Sequence, residues 1–184
     1  ARADWDRPGT FPVVLSGDLP LCVECGQPVH ADPEHMTQLD ATTFVPKTAP
    51  RLKLRGRVDS LHAFVMLAAA MARRDRLDAL ARHLDTLAAS CREIMSAEYN
   101  VRPVAPLTLA GMDSTQLHAV SHWPDRHLGI EHIVPGADDH EILHWLNVVR
   151  TQAREVEVVA LESFVPADLA HALNRLSSAV YVLA

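Results

Sequence analysis

The sequence predicts an all-α fold, a five-helix bundle preceded by a loop-rich N-terminal arm. Leucine, valine and alanine recur every three or four residues over most of residues 58–97 and again near the end of the chain. That recurrence is the period of a helix with one apolar face. Much of the proline and glycine lies in the first forty residues, where no such period is present. Helices in antiparallel contact form a bundle, in which ligand sites are commonly built from facing side chains.

The arm is assigned to residues 1–40, and the helical-bundle domain to residues 41–184. Residues 39–55 mix β-branched side chains with lysine and arginine and contain Pro46 and Pro50. Because proline disfavours helix in the residue before it, this stretch is expected to be an extended loop.

A helical hairpin is predicted next. Residues 58–72 and 75–97 both carry apolar residues at helical spacing. Residues 100–109 contain two prolines and are expected to connect this hairpin to the rest of the bundle.

Three further helices are expected in the second half. Asp113 or Ser114 can cap a short helix that runs to His122, and residues 123–136 then form a loop. Asp138 or Asp139 is expected to open the long helix that follows.

The final helix is expected to have Pro166 in its first turn, where the missing backbone N–H of a proline costs the helix no hydrogen bond. Its inward positions are Leu169, Leu173, Leu176, Val180 and Leu183. Since the sequence stops inside this apolar helix, we expect further residues to follow.

Composition narrows the class of protein. The 184 residues are 48% hydrophobic and 22% charged, with a formal net charge of -6. A nucleic-acid binder is expected to be basic, so nucleic acid is not a predicted partner. No run of 18 apolar residues and no secretory signal is present, which predicts a cytoplasmic protein without a membrane partner.

Arg150, Arg154 and Glu157 share one face of the predicted long helix, because residues three and four apart stack above one another. Two guanidinium groups suit a polyanion such as a triphosphate, which each can bind through two parallel hydrogen bonds. The alternative is a solvated helix face, with Glu157 bridging back to Arg154.

A second polar line runs along the final helix. Asn174, Ser177 or Ser178, and Tyr181 lie about a turn apart on a shared face. Polar lines on two neighbouring helices can converge on one ligand; the alternative is helix capping and ordinary exposure.

Three segments in order resemble the cobalamin adenosyltransferases of the PduO type, most closely their ethanolamine-utilization branch (EutT). The first is VPKTAPRLKLRGRVDSL at 45–61, the second is IVPG from Ile133 followed by RTxxRxxE from Arg150, and the third is LNRLSS at 173–178. Together they span most of residues 37–184.

The resemblance implies a fold, an assembly and a reaction. The fold is a five-helix, ferritin-like bundle, and the assembly is a homotrimer, with a dimer as the alternative. The reaction joins the 5′ carbon of ATP to the cobalt of reduced cobalamin and releases triphosphate. The branch adds a role in ethanolamine utilization, and a bacterial metabolic compartment as an alternative location.

The resemblance also implies site residues. Arg150, Arg154 and Asp59 are expected to be catalytic, with Asp59 pairing with Arg150 across the subunit interface. The residues expected to bind ATP or cobalamin are Lys47, Arg51, Arg150, Arg154, Glu157, Asn174 and Trp123. Mg²⁺ is expected to bridge the triphosphate oxygens. For Trp123, or for Leu128, the role would be to displace the lower axial ligand of cobalt; the alternative is a loop anchor packed on the bundle.

Cys22 and Cys25 form a CxxC pair, which in a chain expected to be cytoplasmic suggests metal or redox chemistry. His30 and His35 lie near enough along the sequence to complete a site for Zn²⁺ or Fe²⁺. Two further possibilities are ions shared between protomers and free thiols. The metal motif of some ethanolamine-type enzymes has a histidine, eleven residues and Cys-Cys-x-x-Cys. Here Leu21 stands at its first cysteine and Gly9 at its histidine.

Two alternative functions, neither of them enzymatic, would also use Arg150 and Arg154 to contact an anion. One is a carrier that binds corrinoid or nucleotide without turnover, and the other is a metal-clipped module whose arm recruits a partner.

Overall fold

The computed structural model describes residues 17–31, 33–132, 134–163 and 165–184. Three short strands come first: β1 Leu21–Cys22, β2 Met36–Gln38 and β3 Thr43–Pro46. The helices that follow are α1 Pro50–Arg74, α2 Asp78–Tyr99, α3 Ser114–His122, α4 Pro124–His127, α5 Glu141–Glu162 and α6 Ala167–Leu183. The chain divides into two units, with the boundary between Leu52 and Lys53.

The smaller unit contains a three-stranded sheet with the order β1-β3-β2. Strand β3 pairs in parallel with β1 and antiparallel with β2. Val29, Met36 and Phe44 form its buried core, against which Cys22 packs. This sheet was not predicted, because strands of two to four residues are too short to display a period in the sequence.

The prediction of an extended loop over residues 39–55 is wrong in two places. Residues 43–46 form β3, and α1 begins at Pro50 rather than near Val58. A proline in the first turn costs a helix no hydrogen bond. Leu54 then continues the buried face that Val58 and Leu61 extend.

The larger unit is the predicted helical bundle. Ion pairs from Arg55 to Glu98 and from Arg73 to Asp85 join opposite ends of α1 and α2, which therefore run antiparallel. Helix α5 also runs antiparallel to α1. Arg74 at the end of α1 pairs with Glu141 at the start of α5, and Arg57 near the start of α1 pairs with Glu155 in the second half of α5. Helix α6 packs against α5, α3 and α2, and the buried core between the helices consists mainly of leucine, valine and alanine.

Three predictions for the second half of the chain need correction. Helix α5 begins at Glu141 with His140 as its N-cap, because Asp139 accepts a hydrogen bond from the backbone of Gly136 and so holds the turn before the helix. Pro166 is the N-cap of α6 rather than a first-turn residue. The predicted loop 123–136 contains the single helical turn α4.

The cap predicted for α3 is confirmed at Asp113. Its carboxylate accepts hydrogen bonds from the backbone N–H groups of Thr115 and Gln116, and the Gln116 side chain accepts one from the backbone of Asp113. Asp113→Ala is expected to lower the free energy of unfolding by about 1 kcal/mol, the usual value of such a cap. Urea denaturation measures this change, and equal stability of Asp113→Ala and the parent would contradict it.

Among the described helices, none has the length and apolar composition needed to cross a bilayer.

Candidate anion-binding site

Helix α5 presents two arginines opposite its buried face, which is formed by Val149, Ala153 and Val156. Arg150 is half-buried and donates from Nε and Nη2 to Oδ1 of Asn147, at 3.1 and 2.7 Å. Arg154 is exposed, and no carboxylate among the described residues pairs with it or with Arg150. Both guanidinium groups therefore keep their full positive charge available.

The two arginines border one cavity of about 310 Å³ between α3, α5 and α6. The residues that line it carry either a hydroxyl, an imidazole or a guanidinium: Ser121, His122, His132, Arg150, Arg154, Ser177, Ser178 and Tyr181. No aspartate or glutamate belongs to this lining. A cavity with two permanent cations and many hydrogen-bond donors favours an anionic ligand.

Glu157 does not compensate these charges. Its Oε1 accepts a hydrogen bond from Nδ2 of Asn174 on α6, so the bridge from Glu157 back to Arg154 is not the observed arrangement. Asn174 also accepts a hydrogen bond from Nη2 of Arg175. Neither Glu157 nor Asn174 lines the cavity; together they brace α5 against α6 beside it.

The polar line predicted along α6 does meet the one on α5, since Ser177, Ser178 and Tyr181 line the same cavity as the arginines. The Tyr181 hydroxyl lies 2.9 Å from Nδ1 of His132. This contact ties the segment before α5 to the last turns of α6.

Sequence reasoning missed Ser121, His122 and His132 as cavity residues. Nδ1 of His122 lies 3.0 Å from the carbonyl oxygen of His118, to which its N–H donates. The rings of His118 and His122 are 4.0 Å apart. Burial, and then the positive charge of Arg175, lowers the pKa of His118, which keeps its ring neutral.

A second cavity of about 480 Å³ lies between α1 and α5. Arg154 borders this cavity as well as the first one, together with Arg57, Glu155 and Val158. Val158 and the nearby Leu161 are more than half exposed. This face of the bundle therefore combines charged groups with apolar side chains that the single chain leaves open to water.

Asp59, Trp123, Lys47 and Arg51 are not among the residues that line the first cavity. Asp59 is exposed on α1, and no described residue forms an ion pair with it. The Trp123 ring is half-exposed beside His122 and Arg126, outside the cavity lining. Lys47 and Arg51 belong to the smaller unit, where the backbone N–H of Lys47 donates to the carbonyl oxygen of His35.

The predicted metal ligands lie in the smaller unit too. Cys22 is half-buried, Cys25 is exposed, and neither forms a disulfide. Hydrogen bonds from the backbone and then the side chain of Cys25 lower the pKa of the Cys22 thiol. His30 and His35 are exposed, and within the described ranges no three His, Cys, Asp or Glu side chains group as ligands for one ion. Gly9 lies outside the described residues.

Comparison with known proteins decides the family. The profile of the cobalamin adenosyltransferase family matches residues 29–184. This chain belongs to that family. It is 35% identical over 169 residues to the corrinoid adenosyltransferase EutT of Salmonella typhimurium and 34% identical to the protein of that name from Escherichia coli K12.

Each alignment with these family members covers 88% of this chain and 62% of the relative. The chain thus spans less than two thirds of their length. No solved structure matches it.

Proposed function

We propose that this chain is an ATP:corrinoid adenosyltransferase that serves ethanolamine utilization. The cobalt(I) of a reduced corrinoid attacks the 5′ carbon of ATP, so that a cobalt–carbon bond forms while the C5′–O bond breaks. The electron pair of that bond leaves with inorganic triphosphate. The observation that carries the proposal is the pair Arg150 and Arg154, whose charges no described carboxylate neutralises, on one polar cavity.

The residues of the cavity suit this reaction because the corrinoid itself supplies the nucleophile. The protein then needs to position the substrates and to stabilise charge, rather than to remove a proton. Negative charge builds up on the triphosphate as it departs. Fixed guanidinium groups lower the energy of that state without reorganising at the moment of reaction.

Two other groups enter the proposal in limited roles. Mg²⁺ would take its ligands from triphosphate oxygens and water, since the cavity lining holds no carboxylate. The CxxC pair alone supplies two of the four ligands of a closed Zn²⁺ or Fe²⁺ site, so no step of the reaction depends on such an ion. Lys47, Arg51 and Trp123 remain proposed contacts for ATP and corrinoid.

A homotrimer completes the proposed site. Because Asp59 has no ionic partner among the residues of its own described chain, it is available to pair with Arg150 of a neighbouring subunit. The cavity between α1 and α5, with the exposed Val158 beside it, supports a subunit contact on this face. Location in a bacterial metabolic compartment is proposed from the resemblance alone.

The direct test is to incubate the full chain with ATP, Mg²⁺ and chemically reduced cobalamin, and to follow the absorbance change as the cobalt–carbon bond forms. Formation of adenosylcobalamin and triphosphate in equal amounts is the expected result. Binding of both substrates without turnover would replace the proposal with the non-catalytic carrier. Binding of neither would favour an interaction module.

Arg154→Lys refines that test. Lysine keeps the positive charge but loses the planar fork that binds two phosphate oxygens at once. The KM for ATP is expected to rise by about tenfold or more, because one bidentate contact is lost. Arg82→Lys, on the exposed side of α2, is the matched control and should leave KM unchanged. Equal KM values for both variants would exclude Arg154 from ATP binding.

A further inference from the structure

We propose that His122 and His132 couple anion binding to proton uptake, because each imidazole gains a proton when a polyphosphate enters the cavity. The proposal rests on the proposed function, since it gives these two residues a part in holding the triphosphate. Both side chains are exposed and border the same cavity as Arg150 and Arg154. An imidazole changes its charge near neutral pH, whereas a guanidinium stays charged. The cavity thus combines two permanent positive charges with two that depend on protonation.

The ring of His122 is held by a hydrogen bond that does not depend on its charge. Its Nδ1–H donates to the carbonyl oxygen of His118, at 3.0 Å. A carbonyl oxygen can only accept, and the charged ring has the same N–H donor. Protonation of the other ring nitrogen therefore leaves this bond in place.

The ring of His132 is held in a way that also suits both states. Its Nδ1 lies 2.9 Å from the hydroxyl oxygen of Tyr181. A tyrosine hydroxyl can donate to a neutral imidazole nitrogen and can accept from a charged one. Neither histidine therefore has to move when it gains a proton, so the cavity can change its charge without changing its shape.

The groups around the two rings are mainly cationic. They are His118 on α3, Arg126 on α4, Arg150 and Arg154 on α5, His171, Arg175 and Tyr181 on α6, and Glu131 next to His132 in the chain. Among the described residues no carboxylate lines the cavity. The guanidinium groups oppose a further positive charge while the cavity is empty, and the several negative charges of a polyphosphate favour it.

The direction of the pH effect follows from this difference. Because the rings hold their protons more tightly in the complex than in the empty protein, binding takes up protons, and affinity falls as the pH rises. Cleavage of the C5′–O bond adds one negative charge to the phosphate chain, which charged imidazoles would stabilise. The protons come from water and return to it when triphosphate leaves, and no bond to either histidine forms.

Titration calorimetry measures the protons taken up. The full chain is titrated with inorganic triphosphate, without Mg²⁺, in two buffers that differ in ionisation enthalpy. The double variant His122→Asn, His132→Asn keeps an amide near the place of each Nδ1 but cannot titrate. At about pH 7.5 the parent should take up about one to two protons more than this variant, since the ligand's own protons contribute equally to both. His127→Asn, an exposed histidine of α4 outside the cavity lining, is the matched control and should behave like the parent.

Two further readouts test the same coupling. Between about pH 6 and pH 8, the Kd of the parent for triphosphate should rise by about tenfold or more relative to that of the double variant. In parent protein with labelled histidine rings, triphosphate should convert the NMR signals of His122 and His132, assigned from the single variants, to those of charged imidazole.

Equal proton uptake by the parent and the double variant would overturn the coupling. Ring signals that saturating triphosphate leaves unchanged, or a parent that does not bind triphosphate, would do the same. Adenosyl transfer without proton-linked binding would remove this proposal alone. Proton-linked binding without adenosyl transfer would remove only the enzymatic function.

Discussion

Asp59→Ala and Arg150→Ala should each lower kcat/KM for the proposed adenosyl transfer by about a hundredfold or more, and each should weaken the proposed trimer. Arg150 is half-buried and held by Asn147, whereas Asp59 is exposed in the single chain. If the two meet at a subunit boundary, both charges are desolvated there. Removing one partner from a buried pair then leaves the other uncompensated, at a cost of about 3–5 kcal/mol.

A double-mutant cycle distinguishes pairing from two separate effects. If the residues contact each other, the double variant should be scarcely worse than either single one, because the second substitution removes a charge that has already lost its partner. Steady-state kinetics with varied ATP and sedimentation of each variant provide the two readouts. Asp85→Ala, which breaks an exposed pair with Arg73, serves as the control. Unchanged KM and unchanged oligomer mass in both single variants would refute the pair.

Arg55→Ala should lower the free energy of unfolding by about 3–5 kcal/mol, more than the substitutions at Asp113 or Arg73. Nε of Arg55 donates to a carboxylate oxygen of Glu98, whose side chain is only 4% exposed. The guanidinium also lies 5.2 Å from the centre of the Tyr99 ring. Without Arg55, a charge buried between α1 and α2 loses its direct cationic partner.

Urea denaturation of matched variants tests this expectation. Arg73→Ala removes the arginine of an exposed pair on the same two helices and should cost less than about 1 kcal/mol. The double variant Arg55→Met, Glu98→Leu should recover most of the loss, since apolar groups of similar volume often replace a buried ion pair without penalty. If Arg55→Ala and Arg73→Ala cost the same, burial does not govern this pair.

The helices could be predicted because the signals that form them are local. The period of leucine and alanine placed α2 and α6, and the polar residue at position 113 marked the start of α3. The start of α1 differs from the predicted one because Pro46 and Pro50 favour an extended stretch, whereas Pro50 is compatible with the first turn of a helix. The same stretch hides β3, whose pairing with β1 and β2 depends on residues distant in sequence.

The candidate site was predictable where it follows helix geometry. Residues 150 and 154, and the hydroxyls of the final helix, share faces that a period of 3.6 defines. His122 and His132 could not be assigned to the cavity, since their place there depends on how α3 and the segment before α5 pack against α6.

The hydrogen bond between Glu157 and Asn174 affects the stability of the protein when no anion is bound. It directs the Glu157 carboxylate toward α6, so this group does not offset the repulsion between Arg150 and Arg154 across one helical turn, which costs a few tenths of a kcal/mol. A bound polyanion removes that repulsion and adds its own binding free energy to the folded state. The melting temperature should therefore rise with added triphosphate and much less with chloride at equal ionic strength, which makes thermal shift a screen for ligands.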